Sequence, residues 1–285
     1  MKKKQKVDLK PIEINTPVAN QMRELLKLTK TSPKLKEMYL KKAYPEGVEQ
    51  TGTPIPVNVT VPVNVSLGEY EDQILPFVVT EYFIKKAGTI LLMDCPCRRA
   101  NKCKNHDYHL GCTWLGEGAR HVDLSKWPVR NGRLATKEEA LERERLAYEN
   151  GLVPHLGKLR GDAELYGVVD YEDQFMSICH CCSCCCVVSL MKYGPSVYKQ
   201  VVKRMEGVEV RVDPDKCKGC GACFKVCIYD GLRMENDKAV INQENCMGCG
   251  RCEMTCPNKA VSISIDDYSR IDELIARFEA RVDIS

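Results

Sequence analysis

The sequence has no apolar run long enough to span a bilayer. Nor is there an apolar core behind the basic start: Met1-Lys2-Lys3-Lys4-Gln5-Lys6 leads into Val7-Asp8-Leu9-Lys10-Pro11, so no signal peptide is expected. It contains no glycine-rich phosphate loop, no Ser/His/Asp order and no dinucleotide fingerprint, which removes support for nucleotide, flavin or triad chemistry. No histidine lies between Cys217 and Cys256, although zinc modules often recruit one beside cysteine. What is abundant is cysteine, 18 in 285 residues, within a chain whose hydrophobic fraction of 44% is ample for a core. Without an export signal, so many thiols are expected in a reducing cytoplasm, held as metal thiolates rather than disulfides.

The densest information lies between Cys217 and Pro257. Cys217, Cys220, Cys223 and Cys227 have the spacing C-x2-C-x2-C-x3-C, and Cys246, Cys249, Cys252 and Cys256 repeat it 29 residues later. Three thiolates in one tight loop can grip three corners of an iron–sulfur cube, and the fourth ligand then comes from the other repeat. On that cross-over, cluster I takes Cys217, Cys220, Cys223 and Cys256, and cluster II takes Cys246, Cys249, Cys252 and Cys227. Gly219, Gly221, Ala222, Gly248 and Gly250 allow backbone N–H groups to approach the sulfides. A pair of zinc knuckles is the blander alternative.

This segment resembles the bacterial-type ferredoxins with two 4Fe-4S clusters in spacing, in duplication and in Cys256-Pro257. One departure is Ile228, where proline often follows the fourth cysteine; it affects the turn more than the ligation. Alternating Val208–Val212 and Val261–Ile265 are expected to pair as strands flanking the cluster loops, with Leu232–Glu235 and Lys238–Ile241 as a second hairpin. Ile271, Leu274, Ile275 and Phe278 then mark a final amphipathic helix.

Ten more cysteines precede this segment: Cys95, Cys97, Cys103 and Cys112, then Cys179, Cys181, Cys182, Cys184, Cys185 and Cys186. Neither group has ordinary four-ligand spacing, so the two are expected to meet in space. One cube needs four ligands, and adjacent cysteines cannot all point at it, so two clusters or one larger bridged assembly would employ more of them. The preferred subset is Cys97, Cys103 and Cys112 with Cys181 or Cys182. Structural zinc and redox-active disulfides are the alternatives. Arg98 is expected either to offset cluster charge or a bound anion, or to lie in a surface ion pair. His180 is expected to orient a ligand through a hydrogen bond rather than to bind metal itself. His106 and His109 sit in a polar loop and read as solvated, while Trp114 and Trp127 read as core.

The order C-x-C-R, then Cys103, then Cys112 before Leu115-Gly116, then a Glu-Glu-Ala helix ending before Gly151-Leu152-Val153, then C-x-C-C-x-C-C-C, resembles a group of uncharacterised ferredoxin-like iron–sulfur proteins of anaerobes. The resemblance covers roughly residues 75–190 and implies metal at this domain and redox metabolism, without a defined reaction.

Elsewhere the pattern is simpler. Residues 22–44 read as two helical stretches broken at Ser32-Pro33, and the alternating, proline-containing Pro54–Val65 reads as an edge strand or arm. A helix is expected from Ile74 through Phe77, Val78, Tyr82 and Phe83, with Gly88 as its C-cap. Thr89–Met93 reads as a buried strand, and Thr136 with Glu139 as the capping box of a helix to Asn150.

The expected fold class is α+β with two domains. Residues 1–69 form a helical segment and extended arm. Residues 70–206 form a mixed α/β cysteine-rich iron–sulfur domain with a linker helix around Val197–Met205. Residues 207–266 form a two-cluster ferredoxin-like domain, and 267–285 the last helix. The expected function is relay of low-potential electrons among two 4Fe-4S clusters, a further N-terminal iron–sulfur site and a partner oxidoreductase. No acid/base constellation accompanies the cysteines, so a carrier or electron-transfer subunit is favoured over a small reductase with a catalytic N-terminal cluster. Each loaded site adds about −2, taking the formal charge of +3 to about −1. That speaks against a nucleic-acid surface, and no membrane span is expected, while homo-oligomerisation stays open.

Overall fold

The computed structural model describes residues 58–60, 66–67, 70–125, 131–158, 162–163, 166–182, 184, 186 and 202–285. The expected helices of residues 22–44, Trp127, Cys185 and most of the expected linker helix lie outside them. The chain is a mixed α/β protein, and among the described residues no helix is long and apolar enough to cross a membrane.

Its main sheet has the strand order β6-β4-β5-β8-β7-β1-β9. These strands are β1 (Asn58–Thr60), β4 (Ile90–Leu92), β5 (Thr113–Leu115), β6 (Arg133–Leu134), β7 (Val153–Gly157), β8 (Met176–Cys181) and β9 (Val202–Arg204). A small hairpin, β2 (Ser66–Leu67) with β3 (Tyr70–Ile74), stands apart from this sheet. Two expectations change here. β1 is not an edge strand, because it pairs antiparallel with β7 and parallel with β9. Likewise Val202–Arg204 is strand where the end of a linker helix was expected, because its backbone pairs parallel with β1.

Side chains alternate across this sheet, so its two faces carry different chemistry. Leu92, Leu115, Ile178 and Leu156 bury one face beneath α1 (Leu75–Lys86) and the final helix. Leu91, Met93, Trp114 and Cys179 lie on the other, where the Trp114 ring stacks on Phe175 with centroids 4.6 Å apart. Thus the same strands that build an apolar core also present cysteine on their reverse side.

Among the described residues of α1, Val79, Thr80, Phe83 and Ile84 are buried, whereas Tyr82 is 38% exposed and its hydroxyl meets Glu279. Gly88 does not take the left-handed conformation of a C-cap. Its N–H instead donates to Ile284 O at 2.7 Å, and a Cβ there would lie 2.7 Å from the Ser285 carbonyl carbon. Glycine is needed at this position because the C-terminal tail docks on it. Two short helices follow, α2 (Pro96–Ala100) and α3 (Glu117–Arg120), before α4 (Lys137–Glu149). The Thr136 capping box is formed, with Glu139 N donating to Thr136 Oγ1 at 3.2 Å and Thr136 N to Glu139 Oε2 at 2.9 Å.

The C-terminal part follows its sequence pattern closely. β10 (Val208–Val212) and β13 (Val261–Ile265) pair antiparallel, with Val210 opposite Ile263. β11 (Leu232–Glu235) and β12 (Lys238–Ile241) form a hairpin whose two turn residues, Asn236 and Asp237, have φ of 47° and 58°. Asn and Asp tolerate such angles, which match the twist of a tight hairpin. After α5 (Arg251–Thr255), α6 (Ser269–Glu279) buries Ile271, Leu274 and Phe278. Those three pack into the cluster of Val79, Phe83 and Ile84, which also takes in Met205 and Val208. The last helix therefore ties the two ends of the described chain into one core.

Candidate metal centres

The two cysteine repeats enclose two recesses. One, of about 340 Å³, is lined by Cys217, Cys220, Cys223 and Cys256. The other, of about 350 Å³, is lined by Cys227, Cys246, Cys249 and Cys252. Each thus brings together three cysteines of one repeat and the last cysteine of the other. The polypeptide makes this possible because Gly219 and Gly248 turn the chain at φ of 63° and 65°, where a Cβ would lie 2.3 Å from Asp237 O and 2.8 Å from Val208 Cγ1 respectively. Any larger residue would push the loop off the β11–β12 turn at Gly219 and off the Val208 side chain of β10 at Gly248.

The sulfurs in these recesses receive backbone N–H groups: Ala239 N to Cys217 at 3.5 Å, Gly231 N to Cys227 at 3.3 Å and Ala260 N to Cys256 at 3.3 Å. The N–H groups of Ala239 and Gly219 hold the Cys217 thiol below its ordinary range. Burial pushes the Cys249 thiol up to about 12. Such a site favours thiolate only once a cation is present to pair with it.

The N-terminal cysteines occupy the reverse face of the main sheet and the loops beside it. Thr113 pairs with Ile178 in the β5/β8 ladder, which sets Cys112 beside Cys179, and their sulfurs stand 3.1 Å apart. The sulfurs of Cys181 and Cys186 are 3.0 Å apart. Cys97 neighbours both Cys95 and Cys186. Separately, Cys184 stands 3.5 Å from Cys103, 3.7 Å from Cys182 and 3.5 Å from His106 Nδ1. The early and late cysteines do meet in space. They divide differently from the expected subset, since Cys103 goes with Cys182 and Cys184, Cys112 with Cys179, and Cys97 with Cys95 and Cys186.

Crowding gives the first group its electrostatics. The Cys95 thiol is pushed far up by its neighbour Cys97 and by burial, Cys112 by Cys179 and burial, and Cys186 by Cys181. In the metal-free chain these groups hold their protons; a bound cation is what turns them into ligands.

Three polar residues organise this region. Arg98 is fully buried, not at the surface, and donates to His180 O at 2.8 Å and to Leu110 O, with Cys95, Cys182 and Cys112 nearby. It pins the start of the cysteine loop to the end of β8. His180 has both ring nitrogens occupied, Nδ1 donating to Gly111 O at 2.6 Å and Nε2 facing Glu144 Oε1 at 2.7 Å. No nitrogen is left to bind metal, so His180 and the buried Glu144 of α4 position the strand. His109 faces Asp94 with a largely exposed ring. His106, expected in solvent, instead lies within the Cys103 group; the C-x2-H spacing of Cys103 and His106 was a signal in the sequence that pointed to it.

Arg251 was also not anticipated. Its side chain is 1% exposed, donates to Gly151 O and to Val226 O at 3.2 Å, and lies near Cys249 on one side and Cys182 and Cys184 on the other. The repeats differ at this point, Gly221-Ala222-Cys223 against Gly250-Arg251-Cys252, and that asymmetry was legible. Nearby, Val153 of β7 packs on Ile228, Tyr229 and Met247, and the Tyr229 hydroxyl bonds His155 Nε2 at 2.5 Å. Removing that hydroxyl leaves a buried imidazole nitrogen without this partner. Tyr229→Phe is therefore expected to cost about 1–3 kcal/mol, read as a lower midpoint for thermal bleaching of the visible absorbance.

Paired four-cysteine recesses of this kind define an iron–sulfur module. Residues 209–257 match the family model of the 4Fe-4S dicluster domain, which implies two 4Fe-4S clusters at the C-terminal part. A search of curated proteins gave no match to the chain.

Proposed function

We propose that this chain is an electron-transfer protein in which the C-terminal module relays single electrons between a partner oxidoreductase and a metal centre in the N-terminal part. The reading rests on one observation above all. There are two recesses, and each is lined by three cysteines of one repeat and the last cysteine of the other. Cluster I would be held by Cys217, Cys220, Cys223 and Cys256, and cluster II by Cys246, Cys249, Cys252 and Cys227. Bound clusters supply reversible one-electron chemistry at low potential. The residues present do the rest: backbone N–H groups offset thiolate charge, and the strands β10 and β13 with Ile241 shield the inner side from water.

Cys95, Cys97, Cys112, Cys179, Cys181 and Cys186 form the group from which a further iron–sulfur centre would draw its ligands, taking no more than one sulfur from each of the touching pairs Cys112–Cys179 and Cys181–Cys186. It lies on the same sheet face as Val153 and His155, which touch the C-terminal module, because Cys181 pairs with Val153 and Cys179 with His155. In domain terms, the main sheet with its cysteines forms one unit and residues 207–266 a second, joined by the core that α6 shares with α1 and Val208.

Iron, acid-labile sulfide and EPR on the anaerobically purified full chain test the proposal. About eight irons and eight sulfides from the C-terminal module, with signals that appear and vanish reversibly on reductive titration, are expected. Iron beyond eight would come from the six-cysteine group. Fewer than about four irons, or reduction that destroys the centres, would rule out an electron carrier.

A further inference from the structure

We propose that Cys103, His106, Cys182 and Cys184 form a mononuclear zinc site, separate from every iron–sulfur centre in the chain. Their four ligand atoms all lie within 4.8 Å of one another. Four donors around one zinc, at bonds of about 2.3 Å to sulfur and 2.0–2.1 Å to nitrogen, stand apart by about 3.8 Å between sulfurs and about 3.6 Å between sulfur and nitrogen. The observed separations are 3.5 and 3.7 Å between sulfurs and 3.5 Å between Cys184 and His106 Nδ1. These are three of the six edges expected of a tetrahedron around a single ion, all meeting at Cys184, and the other three are no longer than 4.8 Å.

A cube does not fit the same atoms. Each terminal ligand of a cube binds a different iron, so the body of the cluster lies between the sulfurs and keeps them from touching. In the C-terminal recesses the sulfurs of Cys217, Cys227 and Cys256 receive backbone N–H groups. The other N-terminal cysteines do not fit a tetrahedron either, because the pairs Cys112–Cys179 and Cys181–Cys186 approach to 3.1 and 3.0 Å. Among the described residues, only the Cys103 group has the spacing of one ion.

The surroundings agree with a closed structural site. Cys182 and Cys184 are buried, and Cys103 and His106 are half-buried. Three thiolates on a divalent ion carry a net charge of about −1, and two buried guanidinium groups lie beside it, Arg98 near Cys182 and Arg251 near Cys182 and Cys184. Backbone geometry delivers the ligands: Lys102 takes φ of 49° and Cys103 N donates to Arg98 O at 2.9 Å, turning the loop back toward the end of β8. An imidazole with three thiolates is a donor set that zinc accepts in structural sites. By fastening residues 103–106 to the segment after β8, such an ion would hold rigid the face that meets Arg251.

The inference is independent of the electron-transfer reading, because zinc and iron are counted on the same sample. The experiment uses the full chain, produced with both metals available, purified anaerobically and dialysed against EDTA. About one zinc per chain is expected, with a zinc K-edge spectrum of three sulfurs near 2.3 Å and one nitrogen near 2.0–2.1 Å. Cys184→Ala should lower bound zinc at least about fivefold while iron, sulfide and the EPR of the C-terminal module stay unchanged. His106→Cys, the variant to rely on if Cys184→Ala does not fold, should keep the zinc and change the spectrum to four sulfurs. Wild-type chain with under about one fifth of a zinc, or with four sulfurs and no nitrogen around it, would overturn the proposal. So would loss of iron and sulfide, with zinc retained, in either variant.

Discussion

Replacing Cys227 by Ala should damage the cluster of the second repeat, not that of its own. Cys227 ends the first motif in the sequence, yet it lines the recess of Cys246, Cys249 and Cys252, while Cys256 lines the other. An alanine cannot supply a thiolate, so the cluster in that recess is expected to be lost or cut to three irons, up to about four of eight irons in the module. The informative comparison is among four variants. Cys227→Ala and Cys246→Ala should leave one and the same surviving EPR signal, and Cys256→Ala and Cys217→Ala should share the other. In the wild type, two reduced clusters close enough for hopping should broaden each other's signals, and every one of the four variants should sharpen them. Should Cys227→Ala instead match Cys217→Ala, each repeat would ligate its own cluster and the cross-over would be wrong.

Truncating Phe278 to Ala should be the most damaging single change outside the cysteines. Phe278 is 0% exposed, and its ring centroid lies 5.6 Å from that of Phe83 in the cluster that joins α6 to α1. Deleting a buried phenyl ring costs about 3–5 kcal/mol, transfer and cavity terms together. At roughly 2–4 °C per kcal/mol for a chain of this order of size, the thermal midpoint should fall by about 10 °C. The loss should register at the proposed N-terminal centres as well as the C-terminal module, since α1 and Val208 share this core. Tyr268→Ala just before the same helix, where the side chain is 42% exposed, should change stability by less than about 0.5 kcal/mol. A small effect at Phe278 would mean that α6 is a detachable appendage.

Much of this protein was legible without coordinates, and the legible parts share one property: they are local. The double C-x2-C-x2-C-x3-C repeat, the alternation of Val208–Val212 and Val261–Ile265, the capping box at Thr136 and the stripe of Ile271, Leu274 and Phe278 are set by spacing over a few residues. Covalent geometry turns that spacing directly into a loop, a strand or a helix face. The C-x2-H of Cys103 and His106, and the replacement of Ala222 by Arg251 between the repeats, were equally local and point to the two residues that were passed over.

What tertiary structure alone decided is who meets whom across long stretches of chain. The pairing of Cys112 with Cys179 depends on the register of β5 against β8, and that of Cys103 with Cys184 on a loop that Arg98 pins to His180 O. β1 and β9 came to lie side by side in one sheet although Asn58 and its partner Val202 are 144 positions apart in the chain. Gly88 was shaped by the C-terminal tail rather than by its own helix. In each case the deciding contact joins residues whose separation in the chain carries no information about their distance. Register, burial and the packing of one element on another select the partner, and those are properties of the folded molecule.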